Sequence, residues 1–326
     1  MNTAHVTGPG EPNKLCDLMA AAISEEYQKR DGEACTDIRV SGGRGAIFVA
    51  GLVQSTADFD VATLVKQVLG GIDPSLNLEP FIAIEPVAGL RRPSLQTTGY
   101  ATKATPTYLP PAVNMGIGIT RLLEDARQGD EGWFWLSPDF DVTIKEDAGN
   151  MQALLRVSHI DTVNIEDVRG QIRGLFDGRV ERVVVNPAGP DTGNGLASGI
   201  GSSGQLRYEW YGAKLPGSSC VSGLELSHPA NIGWMISRQL ARELVKRIEG
   251  QAVMVDLFWE TLADVPNIVC ARDERGNDLT AHIRVEQLSR KRLSEKWNLS
   301  HLMSGMNRYS FDGTTDLPFE NDDLLQ

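Results

Sequence analysis

A glycine-rich run in the middle of the chain is the first feature whose spacing could do chemistry. Residues 199–204 match GxGxxG, which in dinucleotide-binding proteins joins a strand to a helix and holds a pyrophosphate. Here residues 207–211 follow with an extended pattern, so we reject the dinucleotide interpretation. The wider run 186–204 has six glycines. We expect a long flexible loop that either covers a site or simply connects two elements, and the rarity of long structureless loops favours a cover.

Standard catalytic motifs are missing from the chain. It has no Walker-type phosphate loop, no HExxH and no GxSxG. Its histidines are isolated in sequence, so each is predicted to be a surface or hydrogen-bonded core residue: His5, His159, His228, His282 and His301. The four cysteines form no CxxC pair, which favours reduced structural thiols.

Composition and charge exclude several classes of protein. A chain of 326 residues predicts two or three domains, and 41% hydrophobic with 23% charged residues is typical of a globular protein. A formal net charge of −12 repels phosphate backbones and anionic lipids, so we expect neither nucleic acid nor membrane as a partner. The N-terminus has neither a basic start nor an apolar centre, and we predict a cytoplasmic protein.

Hydrophobic periodicity predicts groups of strands that alternate with single helices. Helices are predicted at 13–30, 61–69, 113–127, 165–176, 231–248 and 285–297, and strands at 46–50, 81–87, 141–144, 152–157, 180–185, 253–259 and 268–271. The alternation indicates an α+β protein in which helices pack against one face of each sheet.

Several short motifs occur in one order along the chain. They are Gly-Glu-Pro-Asn-Lys at 10–14, Gly-Tyr-Ala-Thr at 99–102, Leu-Pro at 109–110, Leu-Ser-Pro-Asp at 136–139, Ser-His at 158–159, Asn-Pro-Ala-Gly at 186–189, Tyr-Ser-Phe at 309–311 and Pro-Phe-Glu at 318–320. Together they resemble the signatures of the S-adenosylmethionine synthetases, also called methionine adenosyltransferases. The resemblance spans nearly the whole chain.

The resemblance implies a particular architecture. Its expected form is three similar α+β domains that are interleaved in sequence and related by pseudo-threefold symmetry. The implied domains are residues 1–9 with 104–203, residues 10–88 with 204–235, and residues 89–103 with 236–326. It also implies a homodimer whose sheets face each other, with active sites between the subunits, or a homotetramer built from two such dimers.

The resemblance also implies a transferase that binds ATP, joins methionine sulfur to C5′ of the nucleotide and uses Mg²⁺ and K⁺. It assigns catalytic roles to Lys14 and Glu11, with Glu11 at the position of the family's histidine. Asn13 stands where the family has a Mg²⁺-binding aspartate, and an amide is a poorer ligand than a carboxylate. The implied substrate-binding residues are Asp139, His159, Asn186, Glu209, Trp210 and Tyr211. The last two offer aromatic faces for a base, or simply pack in a strand.

The resemblance implies that the reaction expels tripolyphosphate, which the family holds with lysines and arginines. Those basic residues are missing from the matching positions of this chain. Where the family has Gly-Arg-Lys this chain has Gly-Gln-Leu at 204–206, and lysine positions carry Leu224 and His228. Between residues 186 and 232 there are two basic and three acidic side chains. Loss of even one preorganised charge contact to a transition state costs on the order of 10²–10³ in rate.

Three hypotheses follow for function. The first is a divergent homologue that has lost or altered the ordinary reaction and acts on an adenosyl- or methionine-like small molecule, a nucleoside or amino-acid ligand. The second is a genuine synthetase in which Arg39, Arg44, Arg91, Arg92 or Lys103 supplies the missing charge beside Asn13 and Gly204. The third is a noncatalytic partner of a true synthetase, which would use the subunit interface for hetero-association.

Overall fold

The computed structural model describes residues 2–90, 92–176, 178, 180–206, 209–216, 222–299 and 323–325. Its strands are β1 (Asn2–Thr7), β2 (Cys35–Gly43), β3 (Ala46–Gln54), β4 (Glu79–Pro86), β5 (Leu95–Thr102), β6 (Leu136–Asp147), β7 (Asn150–His159), β8 (Arg182–Val185), β9 (Ile200–Ser202), β10 (Ala252–Trp259) and β11 (Ile268–Asp273). The helices are α1 (Pro12–Arg30), α2 (Val61–Ile72), α3 (Pro111–Gly129), α4 (Ile165–Gly174), α5 (Gly195–Ser198), α6 (Pro229–Arg247) and α7 (Arg290–Lys296).

The strands form three sheets with one shared plan. Their orders are β1-β6-β7-β8, β9-β2-β3-β4 and β5-β10-β11. In each sheet the first three strands are antiparallel, and in the first two sheets a helix leads to a fourth strand that is parallel to the third. The α+β fold with pseudo-threefold symmetry, predicted from the sequence, is therefore confirmed.

One long helix packs against each sheet: α3 on the first, α1 on the second and α6 on the third. Each has 19 residues and proline in its first turn, where the missing N–H leaves no helical hydrogen bond unmade. Side chains cap two of them, because Glu11 accepts from the Lys14 N–H and His228 accepts from the Ala230 N–H. Helix α1 begins shortly after the end of β1, and Glu11 and Lys14 lie at this junction.

The sequence predicted the three long helices and most strands of the hairpins, but four of the eleven strands in the described ranges were missed. Strands β1, β2, β5 and β9 were not predicted. The helix predicted over 285–297 is a 3₁₀ turn at Val285–Gln287 followed by α7. Strand β9 lies before the predicted domain limit at residue 204 but pairs with the second sheet, and α6 crosses the limit at 235.

The glycine-rich run is more ordered than the sequence predicted. Rejection of the dinucleotide motif is confirmed, because 200–202 is a strand that pairs with β2. The prediction of a long flexible loop over 186–204 is wrong, since α5 and β9 both lie within it. A Cβ at Gly201 would stand 2.1 Å from the Pro12 carbonyl oxygen, so only glycine allows β9 to approach α1 this closely. The extended pattern predicted at 207–211 is also wrong for residues 209–211, which form a turn.

Two smaller expectations concern the surface and the thiols. Among the described residues, none of the helices combines the length and apolar character needed to cross a bilayer. Cys16, Cys35 and Cys270 are free thiols, and burial raises the pKa of Cys16 to about 12. Cys220 and the tail motifs at 309–311 and 318–320 lie outside the described residues.

Candidate functional site

Charged side chains gather where helix α1 begins. The loop between β1 and α1 lies against the start of β6, because the Gly8 N–H donates to the Phe140 carbonyl at 2.7 Å and the Gly10 N–H to the Pro138 carbonyl at 2.9 Å. This pairing brings Glu11 close to Asp139. We call the group below the α1 charge cluster; its members are Glu11, Lys14, Asp139, Asp141, Arg156, Asp191 and Glu209.

Lys14 and Glu209 form a buried ion pair in this cluster. Lys14 Nζ lies 2.8 Å from Glu209 Oε2, and the two side chains are 5% and 10% exposed. The other carboxylate oxygen, Oε1, accepts from the Thr7 N–H at 3.2 Å and from the Thr7 hydroxyl at 2.8 Å. The ammonium group predicted to be catalytic is therefore neutralised by a residue predicted to bind substrate.

Arg156 joins three carboxylates on the exposed face of the first sheet. Its guanidinium donates to Asp139 Oδ1 at 2.6 Å, to Asp141 Oδ2 at 2.6 Å and to Asp191 Oδ2 at 2.9 Å. The second oxygen of Asp139 accepts from the Gly195 N–H at 2.9 Å, which fixes the start of α5. All three branches of the guanidinium thus serve protein carboxylates.

Burial is the main cause of the raised carboxyl pKa values in this cluster. Burial raises the pKa of Glu11, and the charge of Asp139 adds to this effect. Burial also raises the pKa of Asp139 despite its bond to Arg156. A hydrogen bond to Asp141 raises the pKa of His5, against the opposing effect of burial. The cluster holds five carboxyl groups and two permanent cations, so acidic groups are in excess.

The residues around Asn13 do not fit a magnesium ion. The Asn13 side-chain oxygen accepts from the Ser202 N–H at 3.1 Å, and its amide donates to Glu11 Oε1 at 2.8 Å. Both ends of the amide are thus used within the protein. In the described part of the chain, no group of three or more histidine, cysteine or acidic side chains is arranged to hold a metal.

Known proteins share both the sequence pattern and the fold. The chain is 26% identical over 284 residues to S-adenosylmethionine synthase 1 of Rhodospirillum rubrum, covering 74% of this chain and 73% of that protein. It is 23% identical over 270 residues to the S-adenosylmethionine synthase of Aquifex aeolicus, with 72% of each chain covered. The structure of an unusual S-adenosylmethionine synthetase from Campylobacter jejuni superposes with a TM-score of 0.85 at 19% identity, covering 99% of this chain and 97% of that one. No family model matches.

The chain is a divergent relative of the S-adenosylmethionine synthetases. Within this family's fold, four of the residues implied by the resemblance meet in one place, namely Glu11, Lys14, Asp139 and Glu209. Glu11 is engaged as the cap of α1, since its two oxygens accept from the Asn13 amide and the Lys14 N–H.

The remaining implied substrate-binding residues lie elsewhere. The Asn186 amide exchanges two hydrogen bonds of 2.8 Å with the Val157 backbone and so continues the pairing of β7 with β8. Trp210 packs edge-to-face on Trp234, and Tyr211 on Tyr100, within the core. The two residues are 7% and 1% exposed, so their rings pack in the core here, and their role in substrate binding stays a prediction. His159 is buried at the end of β7 in a separate cavity.

Four of the five proposed compensating cations lie in the described part of the chain. There Arg39, Arg44, Arg92 and Lys103 form no hydrogen bond or ion pair with Asn13 or Gly204, and Arg91 lies outside the described ranges. Arg92 instead pairs with Glu225 and donates to Cys35 Sγ. Gly204 is held by Asp17, which also accepts from Ser222; burial raises the pKa of Asp17 to about 6.

Three arginines lie near His228 at the start of α6, namely Arg39, Arg92 and Arg290. Burial, together with the charges of Arg92, Arg290 and Arg39, lowers the pKa of His228 to about 3. The ring nevertheless serves the fold, since Nδ1 accepts from the Ala230 N–H at 3.1 Å. His228 is thus a neutral helix cap among three arginines.

We expect His228→Asn to reduce the loss of stability at acid pH. Between about pH 3 and 6.5 the unfolded chain binds a proton at His228 that the native chain does not, so stability falls as the pH falls. Asparagine keeps the cap without titrating. From pH 7 to pH 4 the native protein should lose on the order of 3 kcal/mol more than the variant. Thermal melts across this range measure the difference, and parallel curves would contradict the assignment.

Sequence reasoning missed Arg156, Asp141 and Asp191. Arg156 and Asp141 face each other across the β6–β7 pair, and only the register of that hairpin reveals the contact. Asp191 belongs to the glycine-rich run and reaches Arg156 from another element. The one available signal was the alternation of polar and apolar residues along β6 and β7, which puts Asp141 and Arg156 on the outer face of the sheet.

Proposed function

We propose that this divergent relative binds a small adenosyl- or methionine-like molecule that carries a positive charge, and that the ordinary transfer between ATP and methionine is lost or altered. The supporting observation is the pairing of Lys14 with Glu209 and of Arg156 with three aspartates. These cations already have carboxylate partners, so a triphosphate would bring more negative charge to an acidic cluster. S-adenosylmethionine, with its sulfonium and ammonium groups, has the complementary charge.

Electrostatics makes this preference substantial. Two unit charges 4 Å apart interact by about 4 kcal/mol at the effective dielectric of a protein surface. Desolvation of a polyphosphate must be offset by several preorganised cations, and removal of one such contact costs on the order of 10²–10³ in rate. A sulfonium or ammonium ion, in contrast, gains attraction from each unmatched carboxylate of the cluster.

A second candidate function is retained because of the arginines near His228. Arg39, Arg92 and Arg290 are close enough to lower the pKa of that ring, and His228 stands where the resemblance implies a phosphate-binding lysine. A genuine methionine adenosyltransferase with rearranged cations would use this group. Arg92 is paired with Glu225, however, and Arg290 donates to the Ala263 and Ser227 carbonyls, which favours the first proposal.

Turnover distinguishes the two proposals. Purified protein is incubated with ATP, methionine, Mg²⁺ and K⁺, and S-adenosylmethionine is quantified by mass spectrometry beside a working synthetase. We expect a rate at least about 10³-fold below that of the working enzyme, since several leaving-group contacts are absent. A rate within tenfold of it would reject the first proposal and support the second.

Ligand binding tests the charge preference directly. Thermal shifts are measured with S-adenosylmethionine, methionine, adenosine, ATP and tripolyphosphate, because a ligand that binds only the folded state raises its melting temperature. We expect S-adenosylmethionine to stabilise the protein and tripolyphosphate to have no effect. Glu11→Gln and Asp191→Asn should each weaken S-adenosylmethionine binding roughly three- to tenfold, whereas Glu131→Gln, an exposed residue outside the cluster, should not. Stabilisation by tripolyphosphate alone would contradict the proposal.

We further propose that the chain forms a homodimer through the outer faces of its sheets. Phe48 on β3 and Phe81 on β4 stack at a centroid distance of 5.2 Å while 58% and 53% exposed. Ile200 on β9, Leu154 on β7 and Ile268 on β11 are also exposed. Apolar residues on outward sheet faces are typical of protein interfaces.

We expect Phe48→Ser combined with Phe81→Ser to convert the dimer to a monomer. Each half-exposed ring gains about 1 kcal/mol when buried, and a symmetric dimer has four such rings. Sedimentation velocity measures the change in mass. Phe134→Ser is the matched control, because Phe134 is 71% exposed but precedes β6 and lies off the sheet faces. A monomeric native protein would refute the proposed interface.

A further inference from the structure

A cavity of about 470 Å³ lies where β6 begins and β7 ends. Two other segments, both loops, complete its wall. The lining includes Asp73 and Ser75 after α2, Phe134 before β6, Asp161 after β7 and Asn194 before α5. Two sheets therefore contribute to one concave surface, and this arrangement is typical of ligand sites.

His159 lines the cavity with an unused hydrogen-bond acceptor. The residue is 3% exposed, and Nδ1 lies 2.9 Å from the Ile160 carbonyl oxygen. Because a carbonyl oxygen only accepts, Nδ1 carries the proton and Nε2 of the neutral ring is left as an acceptor. Within the described residues Nε2 has no hydrogen-bond partner. Buried polar atoms are normally satisfied, so an unpartnered one beside a cavity points to a missing donor.

Another part of the cavity wall supplies further hydrogen-bond acceptors. The Ser137 hydroxyl donates to the Asn194 side-chain oxygen at 3.2 Å, and the Asn194 amide donates to Ser75 Oγ at 2.8 Å. Ser75 in turn donates to Asp73 Oδ1 at 2.7 Å. The donors of these three side chains are therefore used within the protein. Asp73 Oδ2 accepts no hydrogen bond from the described residues, so it is available to a ligand.

Charge and shape limit the ligand class. Among the described residues, the lining of the cavity includes two aspartates and no lysine or arginine. Phe134 is 71% exposed and Ile160 39% exposed beside it, so an apolar group would find contact there. We propose that this cavity binds a small organic amine, whose ammonium donates to Asp73 and His159 Nε2 while its apolar part packs on Phe134.

The amine site is distinct from the α1 charge cluster. Successive side chains of a strand point to opposite faces, so His159 shares the buried face of Val157 while Arg156 lies on the outer face of β7. The segment from Asp191 to Gly195 borders both sites. Asp191 reaches Arg156, whereas Thr192, Gly193 and Asn194 line the cavity. The inference does not depend on the proposed function of the cluster.

The test uses the full chain and two probes of similar shape and opposite charge. Binding of 2-phenylethylamine and 3-phenylpropionate is measured by isothermal titration calorimetry at pH 7.5. We expect the amine to bind with a dissociation constant in the millimolar range or tighter, as suits about nine heavy atoms, and the carboxylate not to bind. Asp73→Asn keeps the Oδ1 acceptor for Ser75 but removes the charge, and should weaken the amine at least tenfold.

A second variant tests the imidazole. His159→Phe fills a similar volume without the acceptor and should also weaken the amine at least tenfold. If it does not fold, Phe134→Ser takes its place, since this exposed side chain supports only the apolar contact. Equal binding of both probes, no amine binding at 20 mM, or unchanged amine binding in Asp73→Asn would each overturn the proposal. Circular dichroism spectra establish that the tested variants retain the native fold.

Discussion

Glu209→Gln should lower the melting temperature by at least about 5 °C. Lys14 is 4% exposed and its ammonium lies 2.8 Å from Glu209 Oε2. Removal of one member of a buried ion pair costs roughly 3–5 kcal/mol, because the remaining charge stays buried and loses its carboxylate partner. Glutamine also turns an N–H donor toward either Lys14 or the Thr7 N–H, so one polar contact becomes repulsive.

A double variant separates the ion pair from other effects of the substitution. Lys14→Met with Glu209→Gln removes both charges. The free energy of unfolding should fall in this double variant by at least roughly 1 kcal/mol less than the sum of the losses in the two single variants. Glu131→Gln is the matched control, since Glu131 is exposed and is not a member of the α1 charge cluster. Urea denaturation at pH 7 measures the native protein, the two single variants, the double variant and the control. A Glu209→Gln variant as stable as the control would show that Lys14 has another adequate partner.

The sequence predicted the fold well where hydrophobic periodicity is strong. Helices α1, α3 and α6 present apolar stripes, and their starts were placed within two residues. Strands with polar or glycine-rich sequences were missed because packing, rather than propensity, makes them strands. In β5, a Cβ at Gly99 would lie 2.1 Å from the Ser237 carbonyl carbon, so α6 packs directly on the strand backbone.

Only some residues of the candidate site were predictable from the sequence, and their pairing was not. The motif at 10–14 and Asp139 identified one end of helix α1, and the structure brings Glu209 to it across 195 positions of sequence. Whether a lysine is available to a ligand depends on such distant partners, which a single sequence does not reveal. The same holds for His159, whose surroundings come from four separate segments.

Arg156→Met should have an effect that grows with pH. Arg156 holds Asp139, Asp141 and Asp191 together, and burial already raises the pKa of Asp139. Without the guanidinium that pKa rises further above its unfolded value. The native state then binds more protons than the unfolded state between the two values, so stability falls as the pH rises through this window. We expect a loss of about 2 kcal/mol at pH 8 and less at pH 5, discounted because the guanidinium is a third exposed.

The same substitution links stability to ligand charge. Removal of the cation makes the α1 charge cluster more negative, so S-adenosylmethionine should bind more tightly to Arg156→Met by several-fold at pH 8, while tripolyphosphate should still not bind. Arg182→Met, at an exposed position on neighbouring β8, should change neither the pH profile nor the affinity. Melting curves at pH 5 and pH 8 with and without each ligand provide both readouts. If Arg156→Met weakened S-adenosylmethionine instead, the guanidinium itself would contact the ligand, and the cluster would recognise a carboxylate rather than a sulfonium.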